Sequence, residues 1–118
     1  MRVPKIAGWV LPAFLFTFVS PVFAQNSSVG QKLFETRCVR CHGYNAKGSL
    51  EAAQNLKLDP AKLDLTSEAV IRKSRKSLET LISGGHGRMP GQKEKLSLKQ
   101  IRAILQYLQT LQRTYASR

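Results

Sequence analysis

The sequence predicts an all-α domain, and three stretches carry that expectation. Near the end of the chain Ser97 and Gln100 form a capping-box pair, followed by Ile101, Ile104, Leu105, Leu108 and Leu111 at a helical period. In the first half, Cys38-Val39-Arg40-Cys41-His42 suits a helical turn that presents two sulfurs and one imidazole to the same side, and nothing around Cys38 reads as a strand. Between them, Gly84-Gly85-His86-Gly87-Arg88-Met89-Pro90-Gly91 holds too many glycines for regular structure and lets the backbone approach a flat object closely.

At 118 residues the chain allows one small domain at most, and its first part reads as a leader. Arg2 and Lys5 form a positive start, Ile6 to Val19 is an uncharged apolar run, and Val22-Phe23-Ala24 places small residues at the −3 and −1 sites. Residues 1–24 are therefore expected to be a signal peptide cut after Ala24, leaving 25–118 as a periplasmic domain. An uncleaved anchor is the competing reading, because the uncharged stretch approaches the ~20 residues that span a bilayer. Pro12, Pro21 and the small-residue site favour removal, with no stable membrane insertion afterwards. Losing Arg2 and Lys5 with the leader takes the formal charge from +12 to +10. Such a balance steers a small protein toward acidic partners or anionic surfaces, and export argues against nucleic acid.

The opening helix is expected from a second capping-box pattern, Ser28 with Gln31, and from Val29, Leu33 and Phe34 along one face leading to Cys38. Gly30 interrupts it at about 1 kcal/mol relative to alanine, which marks either a close backbone approach or a frayed first turn.

The cysteine motif follows, with the spacing of a c-type haem attachment site. Each sulfur can add across a haem vinyl group to give a thioether, and His42 can ligate the iron from below. A redox dithiol has the same spacing but normally ends a strand in a βαβ unit. Zinc would need two more ligands, and adjacent Cys41 and His42 are poorly placed to share a tetrahedral ion. Chance remains open on the motif alone. In an oxidising compartment free cysteines tend to pair, whereas two thioethers use both.

Gly43 to Leu58 reads as a loop with one irregular helical turn, closed by Asp59-Pro60, since Pro60 disfavours helix at Asp59. The carbonyl of Pro60 is a candidate acceptor for an Nδ1–H on His42, against simple turn punctuation. Thr66 can cap a short helix through Val70 and Ile71, and Lys76 or Ser77 opens another through Leu78, Leu81 and Ile82 that stops at Gly84. The intervening Arg72-Lys73-Ser74-Arg75-Lys76 is a solvated face or part of a docking surface for an acidic redox partner.

Met89, the one methionine beyond the leader, lies among glycines with little core to join. A thioether is a soft neutral ligand that suits iron in both oxidation states, so Met89 is expected as distal ligand. His86 is the rival, able to replace it if the loop rearranges or the sulfur is oxidised. In the closing helix Lys99, Arg102, Gln106, Gln109 and Arg113 take the outer face and Tyr107 flanks the apolar stripe, whose expected partner is the opening helix near Gly30 and Phe34.

Together these motifs resemble a class I cytochrome c, most nearly the small mono-haem bacterial periplasmic members. Gly30, Phe34 and Cys38 at intervals of four, the Cys38–Gly43 motif, Arg88-Met89-Pro90 and Ile104-Leu105-Gln106-Tyr107-Leu108 carry the resemblance, which covers nearly all of residues 25–118. It implies N- and C-terminal helices crossing where Gly30 meets Tyr107, and one covalent haem c in a crevice between His42 and Met89. Pro60-Ala61-Lys62-Leu63 resembles the segment that supplies the carbonyl for the proximal histidine. The basic run from Arg72 to Lys76 is a departure, so no relative's partner transfers directly.

The expected function is electron transfer with no catalytic residue. The haem iron sits between His42 and Met89, tied through Cys38 and Cys41, in a monomer matured by the cytochrome c machinery and served by an acidic oxidase, reductase or dehydrogenase. The alternatives are a haem relay subunit of a periplasmic oxidoreductase acting on sulfur compounds or alcohols, and a gas or redox sensor in which Met89 dissociates.

Overall fold

A computed structural model of the chain describes residues 2–5, 8, 10–18 and 22–116. Among these, every regular element is helical: α1 (Val22–Arg37), α2 (Val39–His42), α3 (Leu50–Leu56), a 3-10 turn at Pro60–Leu63, α4 (Glu68–Ile71), α5 (Arg75–Gly84) and α6 (Leu98–Tyr115). The leader's Ile6, Trp9, Val19 and Pro21 lie outside the described residues, as do the side chains at 22–24. Residues 10–18 form neither helix nor strand, and no described helix is long and apolar enough to cross a membrane.

The anchor of the fold is α6. Ser97 Oγ accepts the Gln100 amide at 3.2 Å while the Gln100 side chain accepts the Ser97 amide at 2.9 Å, so both halves of the capping box are made. Ile101, Ala103, Ile104, Leu105, Leu108 and Leu111 are buried along it. Against this stripe lies α1, close enough that a Cβ on Gly30 would stand 2.0 Å from the Ala103 carbonyl oxygen. Gly30 therefore marks a close approach of two backbones and not a frayed end. One turn on, Phe34 is 1% exposed and meets Tyr107 edge-on, with ring centroids 5.6 Å apart.

Three expectations for α1 are corrected. Its helix begins upstream at Val22, so Ser28 is interior and caps nothing; its hydroxyl turns back to the Gln25 carbonyl at 2.9 Å, as serines inside helices do. Gln31 bonds Glu35 instead of closing a box. Val29 faces solvent, and the buried pair is Gly30 with Phe34, four residues apart on one face.

The middle of the chain is more regular than its composition suggests. The Gly43–Leu58 loop contains seven-residue α3, whose first turn is capped by Ser49 accepting the Ala52 amide and which ends at a left-handed Lys57. Burial of Ala52 and Ala53 with Leu63 fixes it in place. Cap assignments shift as well. Ser67, not Thr66, occupies the N-cap of α4, because Thr66 donates its hydroxyl to Asp64 at 2.7 Å. Ser74, not Lys76 or Ser77, caps α5, accepting the Ser77 amide at 3.1 Å. The stop at Gly84 is as expected.

One ion pair ties α5 to α6. Buried Glu79 accepts a hydrogen bond from Arg102 Nε at 2.8 Å, and this bond holds its carboxyl below the usual value against the opposing effect of burial. A depressed folded-state pKa contributes stability above the ordinary glutamate value and loses it as pH falls through the folded one. Arg102→Met is thus expected to be less stable than the parent at pH 7, with the difference closing below pH ~4. Denaturant midpoints across pH check this, and a gap of constant width would contradict it.

Candidate functional site

At the C-terminal end of α1 the chain turns through Cys38 into the four residues of α2. The amides of Cys41 and His42 both donate to the Cys38 carbonyl, at 3.2 and 2.9 Å, so motif and turn are one structure. The following loop clamps it: Gly48 donates to the His42 carbonyl at 2.7 Å and Ser49 to the Cys41 carbonyl at 2.9 Å. Gly48 adopts φ +98, which side-chain-bearing residues rarely take, and a Cβ there would press on Leu63 at 3.1 Å and the Pro60 carbonyl at 3.2 Å.

His42 Nδ1 lies 2.8 Å from the Leu63 carbonyl. A carbonyl can only accept, so Nδ1 carries the proton and Nε2 keeps a free lone pair. Burial lowers the imidazole pKa, with the Leu63 hydrogen bond opposing, which favours the neutral ring. The acceptor expected at Pro60 is thus corrected to Leu63. The expected segment supplies it, but Asp59 caps a 3-10 turn starting at Pro60, and the turn brings the carbonyl at its far end to the ring. The proline was the visible signal in the sequence; the length of its turn was not.

Cys38, His42 and Met89 line one cleft with about 570 Å³ of empty space, counting the part open to solvent. Phe34, Leu65, Leu78, Leu81, Ile82, Ile104, Leu105 and Leu108 supply most of its wall. Cys41 is not part of that wall; it packs against Ala52, Ala53 and Leu63, whereas Cys38 packs against the main core. Burial pushes the Cys38 thiol up to about 11, and neither cysteine is in a disulfide. Met89 is held by a tight turn in which His86 and Met89 exchange backbone hydrogen bonds of 3.0 and 2.9 Å around left-handed Gly87. His86 itself is exposed and does not line the cleft. From the basic run only Lys73 reaches the wall of this cleft, a distinction composition could not draw. No group of three or more His, Cys, Asp or Glu side chains that could hold a metal ion occurs among the described residues.

The model of the cytochrome c family matches residues 27–112. The chain belongs to the cytochrome c family. It is 32% identical to a cytochrome c6 of Gloeothece citriformis, over 80% of each chain, and 30% identical to a cytochrome c6 of Nostoc sp., over 80% of this chain and 79% of that one. It is also 33% identical to the cbb3-type cytochrome c oxidase subunit FixP of a Bradyrhizobium species, where 73% of this chain matches 28% of the longer protein. This cytochrome has the all-α class I fold, and it is an electron-transfer protein with covalently attached haem c and its iron. The residues present fit such a group. The cleft is apolar, a cysteine lines it, and a pinned imidazole with a free Nε2 faces the same space as a thioether.

Proposed function

We propose that Cys38 and Cys41 form the two thioethers, that His42 is the proximal ligand through Nε2, and that Met89 is the distal ligand. The convergence of Cys38 and His42 with Met89, from two stretches of chain some fifty residues apart, on one apolar cleft supports this most strongly. When bound, haem supplies a metal that gains or loses one electron. The Leu63 carbonyl keeps the His42 ring from turning, and the His86–Met89 turn holds the methionine in the same cleft. His42 and Met89 would hold the metal with donors that serve either oxidation state, so little would need to move when its charge changes. The apolar wall keeps water from rearranging, which lowers the barrier to transfer. Held in this way the group would offer a substrate no open position, and the protein would act as an electron carrier.

In this reading residues 1–24 are a signal peptide removed after Ala24, and residues 25–118 act in the periplasm as a monomer. The maturation machinery for c-type cytochromes attaches the haem; a Cys38 thiol held at about 11 is a poor nucleophile once the chain has folded. The partners are acidic redox proteins, an oxidase, reductase or dehydrogenase, met by the basic surface. Similarity to FixP favours a second reading, a relay domain bound within an oxidase-type complex. Purification under mild conditions separates the two: a free carrier elutes alone, a relay elutes with its complex.

Denaturing mass analysis of the exported protein tests the attachment. The expected result is a chain beginning at Gln25 that retains one haem, with the haem lost to extraction only in the Cys38→Ala, Cys41→Ala double variant. Release of haem from the parent by acid and organic solvent would overturn the thioether assignment.

A further inference from the structure

One wall of the haem cleft is the α4–α5 corner, where Val70, Lys73, Leu78, Leu81 and Ile82 face the same space. Among the described residues Lys73 is the only lysine or arginine in that lining, and apart from Cys38, His42 and Met89 every other lining side chain is a hydrocarbon. Its backbone is held on both sides. The Lys73 amide donates to the Val70 carbonyl at 3.0 Å, and the next residue, Ser74, caps α5 by accepting the Ser77 amide at 3.1 Å. Lys73 is exposed as a residue and yet lines an apolar cleft. A lysine behaves so when its methylene stem covers apolar wall while its ammonium stays at the wet edge.

The acids nearest to it in the chain are already engaged. Glu68 pairs with Arg72, Glu79 pairs with Arg102, and Asp64 takes both the amide and the hydroxyl of Thr66. Neither ion pair among the described residues includes Lys73. A c-type haem brings two carboxylates of its own, the propionates, on the edge of the ring opposite the vinyl groups that cysteines take. A carboxylate set against hydrocarbon is costly unless a charge or a donor answers it. The rest of the lining offers little: the Nδ1–H of His42 is spent on the Leu63 carbonyl. The attachment turn α2 packs on α1 and α3, whereas α5 packs on α6, so the Lys73 corner and the cysteines belong to different parts of the wall.

We propose that Lys73 is the counterion of a haem propionate, holding the carboxylate edge of the cofactor at the α4–α5 corner and raising the reduction potential. The inference rests on the assignment of this cleft to the haem. A fixed positive charge beside the group favours the reduced metal, which carries one positive charge fewer than the oxidised one. Pairing also withdraws Lys73 from the surface open to partners. With Arg72 held by Glu68, the exposed cations left in that run are Arg75 and Lys76.

The test uses the holoprotein and two readouts. In the reduced, diamagnetic form, nuclear Overhauser contacts are expected between the side-chain protons of Lys73 and the propionate methylenes. In redox titrations of Lys73→Met, the reduced-to-oxidised ratio at a fixed ambient potential should fall on the order of tenfold, about 59 mV for a one-electron couple. Most of that shift should survive high salt, and Lys73→Arg should keep the parent potential. Lys76→Met removes the same charge from an exposed position outside the cleft. It should shift the potential far less, and high salt should erase what shift there is. Absence of the propionate contacts overturns the proposal, as do equal shifts in Lys73→Met and Lys76→Met that vanish together at high salt. Haem contacts to Leu81 and Leu105 in the same spectrum report separately on the cleft. Their presence without contacts to Lys73 removes the role of Lys73 alone; their absence removes the cleft assignment and this proposal with it.

Discussion

Gly30→Ala should cost this cytochrome more stability than any conservative surface change, because the new methyl has nowhere to go. Its carbon would sit 2.0 Å from the Ala103 carbonyl oxygen and 2.6 Å from the carbonyl carbon, with Tyr107 Cβ at 3.2 Å. Those neighbours are mainly backbone within α6, so relief requires α1 and α6 to separate and not merely a side chain to rotate. Separation would in turn unseat Phe34, 1% exposed, from the edge of Tyr107. Alanine improves intrinsic helix propensity by about 1 kcal/mol, and overpacking typically costs about 1–3 kcal/mol, more when backbone must move. The clash wins, and a net loss near ~3 kcal/mol lowers the melting temperature by roughly 12–24 °C for a domain of this size. A thermal melt of the holoprotein decides it: a shift of only a degree or two would mean that the helices do not cross at Gly30.

Met89→Ala should have the largest effect on the metal. With Met89 as distal ligand, the oxidised parent shows the weak iron–methionine charge-transfer band and the reduced parent fails to bind carbon monoxide. The variant should lose the band, bind carbon monoxide when reduced, and shift in reduction potential by on the order of 100 mV, since axial ligands tune haem over roughly 0.8 V. The shift should be downward, because a neutral thioether favours the reduced metal more than the water or imidazole that replaces it. Persistence of the band in Met89→Ala would rule out the distal assignment. Absence of the band from the parent, with carbon monoxide binding gained in His86→Ala and not in Met89→Ala, would transfer that role to the histidine.

Local chemistry that needs few partners was readable from the sequence. Ser97 and Gln100 cap α6 by bonds spanning three residues, and five apolar side chains at helical spacing show which face is buried. The motif from Cys38 to His42 and the methionine among glycines were likewise visible, and the fold brings Cys38, His42 and Met89 to one cleft. Choices between adjacent, chemically similar residues were not readable. Ser67 and Thr66 both suit an N-cap, and the decision rests on Asp64, which takes both the amide and the hydroxyl of Thr66. Ser74 and Ser77 pose the same ambiguity, since each can start a helix that ends at Gly84. The shift from Pro60 to Leu63 depends on how far one 3-10 turn extends, which tertiary packing of Leu63 against Ala52 and Ala53 determines. Gly30 carried two readings because a glycine in a helix reports only that a side chain is missing, and the excluding atom lies 73 residues away on Ala103.

The two cysteines rest on different parts of the interior: Cys38 against the large cluster around Phe34 and α6, Cys41 against the small one of Ala52, Ala53 and Leu63. The short turn from Cys38 through α2 thus joins both clusters, and loosening either is expected to strain the other, so that thermal unfolding followed by far-UV and haem absorbance should coincide.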